Sequence, residues 1–349
     1  MTNDREMLAV RKPAADAGEV VLQTVSRPQP APGQVRIAVT GAGICGTDQH
    51  ILDGDYYSRP PVTLGHEVAG RVDSVGAGVT AGWIGALVAP ETAFATCGQC
   101  RWCRGGRPML CAERVSIGSG VDGGFAESVV VPARNLHQLP DWLDDRAAAL
   151  MEPLACACNS LLDPGRVEPG DVVVVIGAGP VGLLAAQVAR AAGGIVRIAG
   201  MRSDLERLSI ARDLGFPTHN IEEPDDREAL DALGRSRSID EILECAGAGA
   251  AVASAIRLLR PGGRLVQMGL LAGDVAVPFG DIVTRELQVT AGFGSSPAAW
   301  RRAVRLVEER AVRLEPLVSH VFPLREHASA FDCFARRDGL KTIFDPRLA

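Results

Sequence analysis

The stretch that most constrains this chain is DVVVVIGAGPVGLLAAQVARAAGG, residues 171–194. It joins a Val/Ile run to an apolar helix through a turn with glycine at 177, 179 and 182. An unbroken β-branched run suits a strand covered on both faces, and such strands belong to parallel sheets flanked by helices. The alternation continues with IVRIAGM, SDLERLSIARDLG, SIDEILECAG, AVASAIRLLRPGG and RLVQMGL. Residues 156–296 therefore read as a doubly wound parallel sheet of the α/β class. Residues 1–155 read differently: QVRIAVTGAGI, HEVAGRVDSVG, GALVAPE and FAESVVVPA are short β-rich runs between Gly/Pro turns, an irregular all-β domain. At 349 residues, two domains are expected on length alone. The segment 297–349 holds a helix, AAWRRAVRLVEER, followed by LVSHVFPL, HASAFDCFARR and LKTIFDP. These have no place in the parallel sheet, and a return to the first domain is expected.

Gly177, Gly179 and Gly182 spell G-x-G-x-x-G between a strand and a helix. That context gives a tight turn, close backbone approach to a pyrophosphate, and free N–H groups at a helix N-terminus facing the anion. The spacing alone is weak; in place between strand and helix it predicts a Rossmann-type dinucleotide site. Pro180 and Val181 inside the turn and Gly200 at the end of the second strand join it as candidate cofactor contacts. A site for NAD ordinarily carries an Asp or Glu at that strand end to hold the ribose 2′-hydroxyl. Here the strand ends in Gly200, Met201 and Arg202. Arg202, with Arg207 behind it, favours a 2′-phosphate and hence NADP(H) over NAD(H). Asp204 is the competing candidate, and arginine is common throughout this chain: of 36 Lys and Arg residues only two are lysine.

The formal charge of −6 gives no basic face for nucleic acid, and no stretch approaches the apolar length of a membrane span. The first twenty residues contain no apolar signal core, so the protein is expected in the cytoplasm. Nine cysteines without an export signal point to thiols and metal ligands rather than disulfides.

Four of those cysteines crowd into CGQCRWCRGGRPMLC, at 97, 100, 103 and 111. Four thiolates satisfy tetrahedral zinc with no open position, which is a structural site. The iron–sulfur run of bacterial ferredoxins shares the first half of the spacing but places its last cysteine after three residues and before proline. A nucleic-acid finger would need a basic recognition helix, and AERVSIGSG supplies none. The remaining Cys156, Cys158, Cys245 and Cys333 read as core. A second metal-binding pattern lies in GICGTDQHILDGDYYSRPPVTLGHE: Cys45, His66 and Glu67 offer a thiolate, an imidazole and a carboxylate, a mixed set suited to a catalytic zinc with an open position.

GICGTDQH, GHEVAGRVDSVG, the four-cysteine lobe, MEPLACA and VVVVIGAGPVG occur in the order seen in zinc-dependent medium-chain alcohol dehydrogenases, and the chain resembles their polyol, sorbitol-type branch over essentially its whole length. The resemblance implies a GroES-like catalytic domain, with its zinc lobe at 91–115, before the nucleotide domain. It implies two zinc ions per chain: one structural, and one catalytic on Cys45 and His66 with Glu67 or Glu152 of MEPLA, directly or through water. It implies Thr47 and His50 as a proton relay. Asp48 is a candidate to orient His66, with a purely local turn role as the alternative. Tyr56 and Tyr57, the only tyrosines, fall in a loop the family places near substrate. Phe293, Gly294 and Ser295 stand where sorbitol enzymes carry an Arg–Tyr pair, which points away from sorbitol itself. The turn TAGWIGALV also departs from the family's usual Gly-Asp-Arg. The expected function is hydride transfer between a nicotinamide cofactor and a secondary alcohol or ketone of a polyol, sugar or cyclitol. The expected assembly is a homodimer or homotetramer, with LQVTAGFG as a candidate intersubunit strand. A zinc-independent quinone or enone reductase of the same superfamily and a catalytically silent homologue are the alternatives; the first should lack the metal residues, the second should have lost a ligand or the glycine turn.

Overall fold

The run Val172–Ile176 becomes the third strand of a six-stranded sheet in the order Thr218–Asn220, Ile195–Gly200, Val172–Ile176, Glu241–Glu244, Arg264–Gln267, Gln288–Ala291. Every neighbouring pair is parallel. Two strands lie to one side of Val172–Ile176 and three to the other, so the chain reverses direction across the sheet at its C-terminal edge. In such sheets the crevice at that switch point takes the ligand. The glycine turn follows Ile176 there, ahead of the helix Pro180–Ala191. The structure, a computed structural model, describes residues 5–16, 18–162, 167–271 and 273–348.

Two units divide the chain, Met1–Glu152 with Ser295–Val304 and Leu314–Ala349, and Pro153–Gly294 with Arg305–Arg313. The C-terminal segment is thus more divided than a single return from residue 297. Its part 305–313 stays with the parallel sheet's unit, where the buried Gln187 on the helix Pro180–Ala191 accepts from Arg313 N at 2.8 Å and donates to Arg313 O at 3.2 Å. Burying an amide side chain requires such a pair of partners, and a backbone segment provides both at once.

The first unit is built on a seven-stranded sheet. Its main path runs Leu136–Gln138, Leu87–Pro90, Glu67–Val75, Gln34–Gly43, Lys341–Phe344, Val318–Phe322, with Ser128–Pro132 also paired to Gln34–Gly43. The C-terminal strand Lys341–Phe344 therefore sits directly beside Gln34–Gly43, which leads into the GICGTDQH segment. A three-stranded sheet, Val21–Ser26, Glu6–Lys12, Val62–Thr63, lies in the same unit. In the cysteine lobe, Ala93–Ala95 pairs antiparallel with Val115–Ser116 and draws the two ends of the segment together.

An aromatic cluster in the core of this unit shapes the loop that carries the histidine of GHE. Phe125 is fully buried, with Phe344 edge-on at 4.9 Å and Phe331 at 6.1 Å between ring centroids. Gly65, at φ +91°, passes so close that a Cβ there would meet the Phe125 ring at 2.4 Å. Phe125→Ala should therefore cost about 3–5 kcal/mol of stability, read from denaturant unfolding, and should loosen the Gly65–His66 loop. A loss below about 1 kcal/mol would show that the ring does not organise this core.

Candidate functional site

Cys45 stands at the N-cap of the helix Gly46–Asp53 with extended backbone. Asp48 in the first turn reaches back: its Oδ2 accepts from Cys45 N at 3.0 Å and its Oδ1 from Gly65 N at 3.3 Å. The carboxylate is fully buried, and these N–H donors compensate its desolvation. One side chain thereby ties the Cys45 loop to the His66 loop. His66 Nδ1 lies 3.7 Å from Asp48 Oδ1. The donor atoms of Cys45, His66 and Glu67 all lie within 4.8 Å of one another. Burial opposes a charge on His66, but Asp48 and Cys45 outweigh it and hold the ring's pKa well above its ordinary value. The carboxylate of Asp48 and the sulfur of Cys45 that favour a proton there would also favour a divalent cation in its place. The donor set thus fits zinc by chemistry as well as by proximity.

Glu67 brings a residue that the sequence reading missed. Lys341, on the C-terminal strand, donates to Glu67 Oε1 at 2.9 Å, to Oε2 at 2.7 Å, and to Ile44 O at 3.1 Å. Both partners are buried. Burial alone would lower the lysine's pKa, but the charge of Glu67, with smaller contributions from Cys45 and Glu152, raises it above the ordinary value. Glu152, at the start of the helix Met151–Leu162, is buried and stands outside the three-donor group while contributing to this field. The available signal was rarity: the chain's two lysines, Lys12 and Lys341, are both buried.

Thr47 and His50 lie three residues apart on the helix Gly46–Asp53 and so share a face. Thr47 Oγ1 is 3.8 Å from Cys45 Sγ. His50 Nδ1 is 3.0 Å from the exposed Asp55 carboxylate, and the imidazole is about one-third exposed. Thr47 thus lies beside Cys45, and His50 reaches the solvent side of the helix. Lys12 holds the other end of the helix, donating to Ile51 O at 2.6 Å. Of the substrate candidates, Tyr56 packs against the core of its unit and Tyr57 is exposed under the Arg59 guanidinium. Phe293 is exposed and belongs to the unit of the parallel sheet.

In the lobe, Sγ–Sγ separations are 3.5 Å for Cys97–Cys111, 3.6 Å for Cys100–Cys103 and 3.9 Å for Cys97–Cys103. Thiolates about 2.3 Å from a tetrahedral zinc lie about 3.8 Å apart, so the cage is already at coordination spacing. N–H groups of Gln99 and Cys100 turned on its sulfur bring Cys97 down to about 7. Desolvation, reinforced by Cys100 and Cys111, pushes Cys103 up to about 11. Four thiols this close cannot all ionise without a cation among them. None of the nine cysteines is in a disulfide; Cys158 and Cys333 are core residues, whereas Cys156 and Cys245 are only partly buried.

At the glycine turn, Gly177 has φ +105° and leaves no room for a Cβ against Ala246 N, while a Cβ on Gly182 would meet Gly177 O at 2.0 Å. Gly179 is different: its φ is −73° and nothing lies within 4 Å of a Cβ there. Neither strain nor packing demands that glycine, and the open space before Pro180 is what a pyrophosphate over the uncapped helix N-terminus needs. Val181 follows Pro180 in the first turn of that helix. Beyond Gly200, Arg202 is exposed and pairs with Glu223 at 3.1 Å, while its N–H donates to Glu222 Oε2 at 2.6 Å. The strand itself ends without a carboxylate, but the neighbouring strand's loop supplies two. Asp204 turns back to accept from Met201 N, and Arg207 lies 3.6 Å from Asp204.

Comparison with known proteins bears on both units. Residues 31–141 match the alcohol dehydrogenase GroES-like domain, and residues 180–309 the zinc-binding dehydrogenase domain. The chain is 37% identical to a sorbitol dehydrogenase of Halalkalibacterium halodurans over 97% of its own length and 99% of that protein. A crystal structure of a Sinorhizobium meliloti protein assigned as a zinc-binding dehydrogenase, bound to NADP, superposes with a TM-score of 0.88 at 32% identity, covering 98% of this chain and 99% of that one. Galactitol-1-phosphate dehydrogenase from Escherichia coli does so with a TM-score of 0.86 at 31% identity, covering 97% and 100%. Among the described residues no helix is long and apolar enough to cross a membrane.

The buried pair makes a stability prediction. Lys341→Met should cost about 3–5 kcal/mol by leaving the Glu67 charge uncompensated. Adding Glu67→Gln should recover most of that loss. Equal unfolding curves for the wild type and the single variant would remove Lys341 from the account.

Proposed function

The chain belongs to the zinc-binding alcohol dehydrogenase family, and from that premise we propose that it moves a hydride between a nicotinamide cofactor, NADP(H) in preference to NAD(H), and a secondary alcohol or ketone of a polyol, sugar or cyclitol. The observation that carries the reading is the mixed donor group of Cys45, His66 and Glu67 beside a helix bearing Thr47 and His50. A zinc there and the cofactor at the glycine turn supply, when bound, Lewis acidity toward the substrate oxygen and a hydride acceptor or donor. Cys45 and His66 would hold the metal. Glu67 can complete the set if it gives up part of its contact with Lys341, and Glu152 is the other candidate. The lobe cysteines Cys97, Cys100, Cys103 and Cys111 would hold a second, structural zinc and leave no position for substrate.

The chain's own part in the reaction is to move one proton. During oxidation the hydroxyl proton passes to Thr47 Oγ1, which hands its own proton on to His50. The Nδ1–H of His50 donates to Asp55, which leaves Nε2 as the basic atom that accepts and then releases the proton to water. Reduction of a ketone runs the same path inward. His50→Ala should lower turnover roughly tenfold to a hundredfold, within the range of general acid–base contributions, with partial rescue by added imidazole. Unchanged turnover with unchanged pH dependence would dismiss the relay.

The polyol class is supported by the sorbitol and galactitol-1-phosphate enzymes among the relatives. For the cofactor, the strand end at Gly200 has no carboxylate of its own and Arg202 stands exposed beyond it. The NADP in the Sinorhizobium meliloti relative accords with that preference. The exposed edge strand Gln288–Ala291, with exposed Val289 and the nearby apolar Phe279 and Val283, supports a homodimer or homotetramer. Cysteines that serve as metal donors suit a reducing compartment, the cytoplasm.

Cofactor choice has a direct test. A charge-assisted bond to phosphate is worth about 1.5–3 kcal/mol, so Arg202→Ala should weaken NADPH about ten- to a hundredfold and leave NADH nearly unchanged. Equal weakening of both would deny Arg202 the phosphate. Parallel assays of polyols, sugars and cyclitols with each cofactor, alongside Cys45→Ala, test the reaction. That variant should lose one zinc and its activity while still binding cofactor, and retained turnover would overturn the mechanism.

A further inference from the structure

A third group of metal-capable side chains lies in the first unit, apart from both zinc patterns. His320 on the strand Val318–Phe322, Cys333 on the helix His327–Ala335 and Asp338 in the turn before the strand Lys341–Phe344 bring one donor atom each within 4.8 Å of the others. We propose that these three residues form an additional binding site for a borderline divalent cation, Zn2+ foremost, with its remaining coordination position open to water.

The three donors come from separate elements, and the backbone around them is fixed. Asp338 N donates to Cys333 O at 3.1 Å, which closes the turn onto the end of the helix. Ser319 joins the same turn to the strand of His320: its Oγ accepts from Leu340 N at 2.8 Å and donates to Lys341 O at 3.2 Å. Gly339, at φ +64°, allows this approach, because a Cβ there would meet Ser319 Oγ at 2.5 Å and His320 Cε1 at 2.9 Å. Thr342 Oγ1 donates to Cys333 Sγ at 3.8 Å, and Cys333 Sγ lies 3.8 Å from Asp338 O, so the sulfur is held against the turn that carries the carboxylate. Donors about 2.1–2.3 Å from a tetrahedral ion lie about 3.4–3.8 Å apart. The present limit of 4.8 Å therefore leaves an inward movement of about 1 Å, within the reach of side-chain torsions of the exposed Asp338 and the partly exposed His320.

The donor chemistry selects the ion. A thiolate and an imidazole with one carboxylate favour zinc over magnesium or calcium, which take oxygen donors in greater number. Three protein ligands make an open site, in contrast to the closed four-cysteine lobe. Asp338 precedes Lys341 by three residues, so a cation here would pin the turn that leads into the strand holding Glu67.

Equilibrium dialysis of the holoprotein against Zn2+, followed by elemental analysis, tests the site. The wild type should bind one equivalent more than Cys333→Ser and than the double variant His320→Ala/Asp338→Asn, whose changes lie at the accessible rim and leave the core cysteine in place. Added Zn2+ should also raise the thermal midpoint of the wild type more than that of the double variant, with activity at resident zinc unchanged. Equal zinc content in the wild type and the double variant, or an equal thermal shift, would overturn the proposal. Neither readout depends on turnover, so the outcome stands apart from the assignment of the reaction.

Discussion

The ammonium of Lys341 is the contact on which the mixed donor site of the first unit depends. Glu67 begins a central strand and its carboxylate is buried, which would be untenable without a compensating charge. The lysine that compensates it arrives 274 residues later. To deliver that charge, the strand Lys341–Phe344 must insert next to Gln34–Gly43. The return of the chain's end to its first unit is thus an electrostatic requirement as well as a packing one. The same nitrogen also donates to Ile44 O, one residue before Cys45, so it fixes the backbone approach to one candidate metal donor while restraining another. Asp48 performs the matching task from inside the helix, joining the Cys45 loop to that of His66.

What the sequence could disclose follows from the range of each interaction. The parallel sheet was legible because a Val/Ile run, a glycine turn and a helix are adjacent in the chain, and Gly177 and Gly182 prove necessary for local reasons of dihedral angle and close approach. The four-cysteine lobe was legible because its donors lie within fifteen residues and its spacing excludes most other uses. Lys341 was not legible as part of the site, since nothing in LKTIFDP marks a partner so distant in sequence. Its scarcity was a signal, but scarcity alone names no neighbour. The group of His320, Cys333 and Asp338 escaped for a related reason: Cys333 was read as core, which its burial agrees with, and its neighbours are set by tertiary structure.

The cofactor end shows the same limit in the other unit. Reading the strand Ile195–Gly200 by itself finds no carboxylate at its end and one arginine just beyond. In space, Glu222 and Glu223 of the following segment reach that arginine from twenty and twenty-one residues away. Glu223 faces a guanidinium that is mostly exposed, so their attraction is weak and screened by solvent.

The choice of lysine over arginine at two buried positions follows from shape. A guanidinium spreads its donors over a flat fork and suits paired carboxylates, as where Arg347 meets the buried Asp345 and the partly exposed Asp145. Lys341 must instead serve both oxygens of Glu67 and the Ile44 carbonyl within one small space, and a compact ammonium with three rotatable protons can do so. Lys12 faces a similar demand at the far end of the helix Gly46–Asp53, where the Ile51 carbonyl lacks a helical partner. The two lysines thus hold the backbone at both ends of the segment from Ile44 to Leu52, and the residues offered as metal donor and proton relay, Cys45, Thr47 and His50, lie between them. In a chain whose surface is served by arginine, lysine is found where the site needs a point charge with no width.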